Sequence, residues 1–386
     1  MSSLIAPLLW AVVVGVTLWP RMVGRRLGFA VYVLTMAVNE LPLVFLLIIS
    51  SGIWVGIDDR PAGLFGVVWI AAWGATVVGL IWAQIRAGRA RPALDGAFAQ
   101  ALGGDWRAVL DARRSGRPRR SRPWLTGIAC PFQRRRRGVE RIRDLTYGPD
   151  PAHRLDLYRA TSTGTGRPIL IHFHEGGFVQ GGRSRESVTM LNQLAAHGWV
   201  CISADYRLRQ AAAWPNPLVD AKRAIAWARE HASEYGADPG RVHLAGGSAG
   251  GHLALDVALT CAQPRFQPGF EDADTSVASV VSLYGYLGGR DEALASSPGR
   301  LARRDIPPLL LIHGANDTGL GVPLATVRGW ARALRSASDA PVVYAELPGA
   351  QHAFDLFASV RARMTADAVE DFLTWTRSAG RHGTAR

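Results

Sequence analysis

Cysteine is scarce in this chain of 386 residues: Cys130, Cys201 and Cys261 are its only three, and no two form a C-x-x-C pair. That spacing excludes a disulfide framework and a paired-cysteine zinc site, and it suits a reducing compartment. Cys201 lies in an apolar strand-like run and Cys261 at the end of an apolar helical one, so both read as packing residues rather than nucleophiles. Lysine is scarcer still. Lys222 stands alone and arginine supplies the other basic side chains, a bias that reflects a GC-rich genome more than a mechanism. Acidic residues are too few to balance them, 31 against 44, which leaves a formal charge of +13. Such an excess suggests nucleic acid until it is divided along the chain. Residues 1–150 hold 20 arginines and 9 acids, whereas residues 151–386 hold 24 basic residues and 22 acids. No nucleic-acid fold motif accompanies the arginines, so nucleic acid is not an expected partner.

Charge is also missing from three long stretches: Leu4–Trp19, Leu27–Ile57 apart from Glu40, and Ala62–Ile85. A helix needs about 20 apolar residues to cross the hydrocarbon core of a bilayer. The third stretch qualifies and the first is marginally short. The second exceeds one untilted helix, and Pro42 marks either a kink or a span confined to Leu41–Ile57. The expectation is an α-helical transmembrane region over residues 1–90 with three spans, 4–19, 27–57 and 62–85. A secretory signal needs a basic lead before its apolar core. Met1-Ser2-Ser3 has none, and no small-residue cleavage site follows Trp19, so the segment is expected to be retained.

Arg21, Arg25 and Arg26 follow the first stretch, Asp58, Asp59 and Arg60 precede the third, and Arg86, Arg89 and Arg91 follow it. The positive-inside rule then predicts a multi-pass protein of the cell membrane, with its amino terminus outside and the rest of the chain in the cytoplasm. Glu40, between Asn39 and Pro42, reads as a helix-break or interface residue, and Gly52-x-x-x-Gly56 as a helix-packing face that is common by chance. Residues 91–141 read as an Arg-rich juxtamembrane linker or lid with a helix over Leu94–Leu110. Arg113, Arg114, Arg117, Arg119, Arg120 and Arg122, and then Arg134 to Arg137, form blocks that anionic lipid headgroups attract at about 1 kcal/mol per charge.

The most specific chemical signal is Gly246-Gly247-Ser248-Ala249-Gly250-Gly251. It stands between a short apolar run, Arg241–Ala245, and a helical pattern that starts at His252. A G-x-S-x-G turn between strand and helix presents its serine in strained backbone geometry, and makes Ser248 a candidate nucleophile. A serine hydroxyl needs a base to take its proton and an acid to orient that base. Pro307–His313 reads as a buried strand with Asp317 in the loop beyond it. Pro341–Leu347 reads as the next strand, with His352 in the loop beyond. Asp317 is the candidate acid and His352 the candidate base. Backbone donors for a developing oxyanion are offered by Gly176 and Gly177, in the loop after the strand Pro168–Phe173, and by Ala249.

The chain order Ser, Asp, His, together with Leu155-Asp156-Leu157-Tyr158, Asp205-Tyr206-Arg207-Leu208 and Trp214-Pro215, resembles the α/β-hydrolase superfamily near the hormone-sensitive-lipase-like and related bacterial carboxylesterases. Pro268 to Thr275 and Ser282-Leu283-Tyr284-Gly285 are similar to a subset of membrane-associated actinobacterial esterases and lipases. The resemblance runs from about Arg143 to Thr376. Two positions depart from the pattern: Glu175 replaces the first glycine of His-Gly-Gly-Gly, and Gly247 stands where the lipase branch has Asp. The resemblance implies a mostly parallel eight-stranded sheet with helices on both faces over residues 142–386.

Other residues have simpler readings. His172 and His174 share one face of a strand and lack a third ligand at matching spacing, so neither metal nor cofactor is expected. Glu175 reads as a structural partner of Arg183 or Arg207, and Asp205 with Arg207 as a loop-fixing pair. Leu218–Tyr235 is the clearest helix, ended by Gly236. The expected function is a membrane-anchored serine carboxylesterase or lipase acting on small-molecule or lipid esters. An acyltransferase with the same triad and a non-catalytic membrane scaffold are the alternatives.

Overall fold

The short β-branched and apolar runs of the carboxy-terminal part pair into one sheet. A computed structural model describes residues 2–20, 25–58, 60–111, 122–162, 164–261, 263–290, 297–298, 303–318 and 322–379. Eight strands are present among them: β1 (Val139–Thr146), β2 (Arg154–Ala160), β3 (Arg167–Phe173), β4 (Val200–Ala204), β5 (Ala237–Gly247), β6 (Val280–Leu283), β7 (Leu309–Gly314) and β8 (Val342–Leu347), in the order β1-β2-β4-β3-β5-β6-β7-β8. β2 is antiparallel to both of its neighbours, and every other pairing is parallel. β4, β6 and β7 are buried at every position, which is why they read as continuous apolar runs rather than alternating ones.

Both faces of the sheet are covered by helices. One core layer joins the sheet to α9 (Asn216–Glu230), α10 (Ala249–Leu259) and α11 (Leu324–Ala337). The other joins it to α8 (Val188–Ala196), α12 (Val360–Ala379), α5 (Ala90–Leu102) and α6 (Trp106–Asp111). The expected helix Leu94–Leu110 is thus two helices, because Gly103, at φ +93°, ends the first. The expected linker is also revised over this stretch. Leu94, Phe98, Trp106 and Leu110 are buried in the second layer, with Phe98 stacked on Trp106 at 4.8 Å between ring centroids. Burying side chains of this size contributes about 1.5–3 kcal/mol each, so residues 94–110 pack into the second core layer of the sheet. α9 likewise stops at Glu230, and a single 3₁₀ turn, Ala232–Tyr235, carries the chain to Gly236.

The amino-terminal helices are α1 (Ile5–Leu18), α2 (Arg25–Glu40), α3 (Pro42–Val55) and α4 (Gly63–Gly88), and a short α7 (Pro123–Ala129) precedes β1. Val14, Leu18, Val38, Ile49, Trp69, Trp73 and Leu80 form a core of their own. The three expected spans are not matched by three long helices. Among the described residues one helical run, Gly63–Leu102, is long and apolar enough to cross a membrane. Ala30–Glu40 and Pro42–Trp54 pass that test only as a pair bent by 95°, and Ile5–Leu18 has 14 residues. The bend falls at Pro42, whose ring cannot continue α2. Arg21, Asp59 and the Arg113–Arg120 block lie outside the described residues.

Candidate active site

Three loop regions at the carboxyl ends of parallel strands converge. β5 ends at Gly247, and Ser248 turns directly into α10 with φ +51° and ψ −114°. A non-glycine residue held at positive φ stores strain of about 1–3 kcal/mol, which the surrounding packing must sustain. The turn is so tight that a Cβ on Gly250 would lie 1.9 Å from the Phe173 carbonyl oxygen. Glycine is therefore required there, and the elbow is held against the end of β3. Asp317 follows β7, and His352 follows β8.

The structure brings all three side chains into one chain of hydrogen bonds. His352 Nε2 lies 2.9 Å from Ser248 Oγ, and His352 Nδ1 lies 2.8 Å from Asp317 Oδ2. The Asp317 side chain is 1% exposed and that of His352 11%. Burial by itself disfavours the imidazolium, but the adjacent Asp317, reinforced by Glu175 and Asp355, outweighs it and raises the His352 pKa. His313 Nε2 also lies 3.5 Å from Asp317, and burial lowers the pKa of that histidine.

Of the three candidate backbone donors, one directly follows the serine and two lie in the loop after β3. Ala249 opens α10, where a first-turn N–H has no acceptor within its helix. Gly176 and Gly177 lie at φ +122° and +64° in the loop that leaves β3. The Gly176 carbonyl accepts hydrogen bonds from the N–H groups of Val179 and Gln180 at 3.0 and 3.1 Å, which closes the loop. A Cβ on Gly176 would lie 1.8 Å from the Gln180 oxygen, so this position also demands glycine.

Several neighbours take partners other than those expected. Glu175 faces Arg185, at 3.7 Å, rather than Arg183 or Arg207. Arg183 joins Asp144, Asp156 and Asp205, while Arg207 binds Asp220, so Asp205 and Arg207 hold separate networks instead of each other. These arginines act across β-strands and a helix, and sequence proximity gave no guide to that. His174 stacks on Tyr206 at 4.4 Å, and burial lowers the His172 pKa to about 3. Cys201 is buried as expected, whereas Cys261 is half-buried.

A set of buried acids around the site was not foreseen. Asp355 accepts hydrogen bonds from Ser187 and Tyr284, and Glu186 accepts one from the Glu175 N–H. Burial pushes the carboxyls of Glu175, Glu186 and Asp355 above the ordinary range. The position of Asp355 three residues after His352 was the one available signal. Glu186 and Ser187 had none.

Comparison with known proteins agrees with this architecture. The BD-FAE family model matches residues 155–288. The esterase LipQ of Mycobacterium tuberculosis is 35% identical over 355 residues, which cover 82% of this chain and 78% of that one. The probable carboxylic ester hydrolase LipM of the same organism is 40% identical over 261 residues, 60% of each chain. Among solved structures, the apo form of Thermogutta terrifontis esterase 2 superposes with a TM-score of 0.53 at 26% identity, over 61% of this chain and 94% of that one. The eight-stranded sheet and the relatives agree: this chain belongs to the α/β-hydrolase superfamily, in the hormone-sensitive-lipase-like carboxylesterase family.

Proposed function

We propose that the protein is a membrane-attached serine carboxylesterase, and the observation that carries this reading is the continuous Ser248–His352–Asp317 hydrogen-bond chain. Ser248 Oγ attacks the ester carbonyl as His352 Nε2 takes its proton. Asp317 holds the imidazole in the tautomer that presents Nε2 to the serine, and stabilises the imidazolium that forms. The N–H groups of Gly176, Gly177 and Ala249 receive the negative oxygen of the tetrahedral intermediate. His352 returns the proton to the leaving alcohol and leaves an acyl-enzyme on Ser248. Water then repeats the sequence in reverse roles and releases the acid. No metal or cofactor has a part in these steps.

Attachment to a membrane is supported by the outer faces of the amino-terminal helices. Ile5, Leu8, Leu9 and Val12 on α1, and Leu64, Val67, Ile70 and Val78 on α4, are between 46% and 77% exposed. Apolar surface of this extent is costly in water and is satisfied by lipid tails. The arginine distribution supports a cytoplasmic hydrolase with Arg122 and Arg134–Arg137 facing anionic headgroups. Lipophilic or lipid-derived esters are the substrates that suit such a position.

The test is hydrolysis of p-nitrophenyl esters from acetate to palmitate by the detergent-solubilised full chain, beside Ser248→Ala. Loss of about 10⁴-fold or more in kcat is expected for the variant, and the chain-length optimum defines the acyl preference. Turnover that survives in Ser248→Ala sinks the assignment.

A further inference from the structure

The amino-terminal helices touch the candidate active site through polar side chains, and these lie on one face of α2. Tyr32, Thr35, Asn39 and Glu40 follow the i, i+3, i+7, i+8 spacing that aligns side chains along a helix. The first three reach the loop that carries His352, and Glu40 reaches the start of α12 just beyond it. The Tyr32 hydroxyl donates to the main-chain carbonyl of His352 itself, at 3.0 Å. Thr35 Oγ1 lies 3.3 Å from Gln351 Oε1, and Asn39 Nδ2 donates to the Gly349 carbonyl at 2.9 Å. Glu40 accepts from Ser359 Oγ at 2.9 Å and pairs with Arg361, which is fully buried and also donates to the Pro348 carbonyl.

A second and separate contact ties down the acid. Asn316, the residue before Asp317, donates from Nδ2 to the Leu18 carbonyl at the end of α1, 3.2 Å away. The same carbonyl accepts from Arg86 Nη1 of α4 at 3.0 Å. The Arg86 guanidinium also lies against Gly349, so close that a Cβ there would fall 2.2 Å from Nη2.

We infer that the amino-terminal helical unit is a working part of the catalytic centre, in which Tyr32 and Asn39 are positioning residues for the His352 loop. The apolar helices are then more than an anchor from which the hydrolase could be cut free. The physical reason is that β8 fixes the chain only as far as Leu347, and the four residues that follow before His352 form a loop. The Gly349 and His352 carbonyls take their donors from α2, while Pro348 is held by Arg361 of α12 and Ala350 by the Asn316 N–H, so the α2 donors bind the loop at the imidazole itself and help fix where it stands relative to Ser248 and Asp317.

The inference rests on the esterase reading, and the experiment separates the two. Tyr32→Phe and Asn39→Leu remove the donors with little change in volume. They are compared with wild type, with Ser248→Ala and with Val33→Ala, on the exposed side of α2. Each full-length protein is solubilised in detergent, its competent sites are counted with a fluorophosphonate probe, and kcat and KM are measured per labelled site across pH. Expected are losses of about tenfold in kcat for each donor variant and about a hundredfold for the pair, since small displacements of a catalytic group carry penalties of this order. KM and Val33→Ala are expected to stay at wild-type values. The acid limb of the pH profile should move down in the donor variants as the His352–Asp317 contact loosens, a change that loss of folded protein cannot produce. Wild-type kcat per site with an unmoved acid limb in Tyr32→Phe and Asn39→Leu, while Ser248→Ala is dead, overturns the inference and leaves the esterase standing. A wild-type protein that neither hydrolyses esters nor takes the probe overturns both.

Discussion

The Tyr284 hydroxyl donates a hydrogen bond to Asp355 while its ring packs edge-on against His352, 4.8 Å between centroids. The tyrosine thus joins the imidazole to a buried carboxyl without placing the two in direct contact. Its backbone is held at φ +41° and its N–H donates to the Ile312 carbonyl at 2.6 Å, so β7 braces it from behind. Around His352 the environment is acidic on several sides, with Asp317 hydrogen-bonded to Nδ1 and Glu175 and Asp355 nearby.

That environment sets the expected pH dependence. Burial opposes charge on His352, but Asp317, Glu175 and Asp355 favour it, and the net effect raises its pKa. The proposed base is competent only when neutral, so kcat/KM should fall as pH decreases through a value above the ordinary histidine pKa of about 6.5. Glu175→Gln removes one of the favouring groups and should move the acid limb to lower pH, increasing activity near pH 6 relative to the alkaline plateau. An acid limb that does not move shows that the Glu175 carboxyl is uncharged where His352 titrates.

Gly176 is the most exacting position in the proposed oxyanion loop. A methyl group there would meet the Gln180 carbonyl oxygen at 1.8 Å, at a φ that L-residues rarely adopt. Gly176→Ala should therefore displace the loop and lower kcat by about 10²–10³-fold, the range seen when an oxyanion donor is lost. The effect on KM should be smaller, because the donors act on charge that develops after binding. Equal losses in binding and turnover would assign the loop to substrate recognition.

Much of this site was legible from the sequence because its parts are local. Ser248, Asp317 and His352 each follow an apolar run by a few residues, and a parallel strand has its functional loop at its carboxyl end. The glycines at 246, 250 and 176 answer to backbone approach distances that any similar turn would impose. What was not legible is contact across the sheet and between domains. Arg183 finds Asp144, Asp156 and Asp205 on other segments, and Glu40 finds Arg361 across 321 residues. Glu40 does stand at the break between α2 and α3, as its neighbours implied, but its partner on α12 had no local signal, and the burial of Leu94 and Phe98 was hidden because their helix follows a run that reads as a membrane span.

The Glu40–Arg361 pair has a separable energetic consequence. Both side chains are 0% exposed, so removing one leaves the other buried with an uncompensated charge or donor set. Glu40→Gln or Arg361→Met alone should destabilise the protein by about 3–5 kcal/mol, read as a lower melting temperature in detergent. The double change Glu40→Leu with Arg361→Met should recover most of that loss, since an apolar pair of similar volume replaces both charges. If the double variant is as unstable as the singles, the packing of α2 on the His352 loop depends on the Ser359 and Pro348 contacts more than on the ion pair.

Topology can be decided with a residue the chain already has. Cys130, just beyond α7, is exposed, whereas Cys201 is buried and Cys261 half-buried. A membrane-impermeant maleimide should therefore label mainly Cys130, with Cys130→Ser as the control for residual reaction at Cys261. A cytoplasmic hydrolase predicts no labelling in intact cells and full labelling in inside-out vesicles. Ready labelling of intact cells would place the esterase on the outer face and set the arginine-rich segment there as well. The positive-inside argument would then fail for this chain, and the exposed arginines would have to be accounted for by something other than the cytoplasmic leaflet.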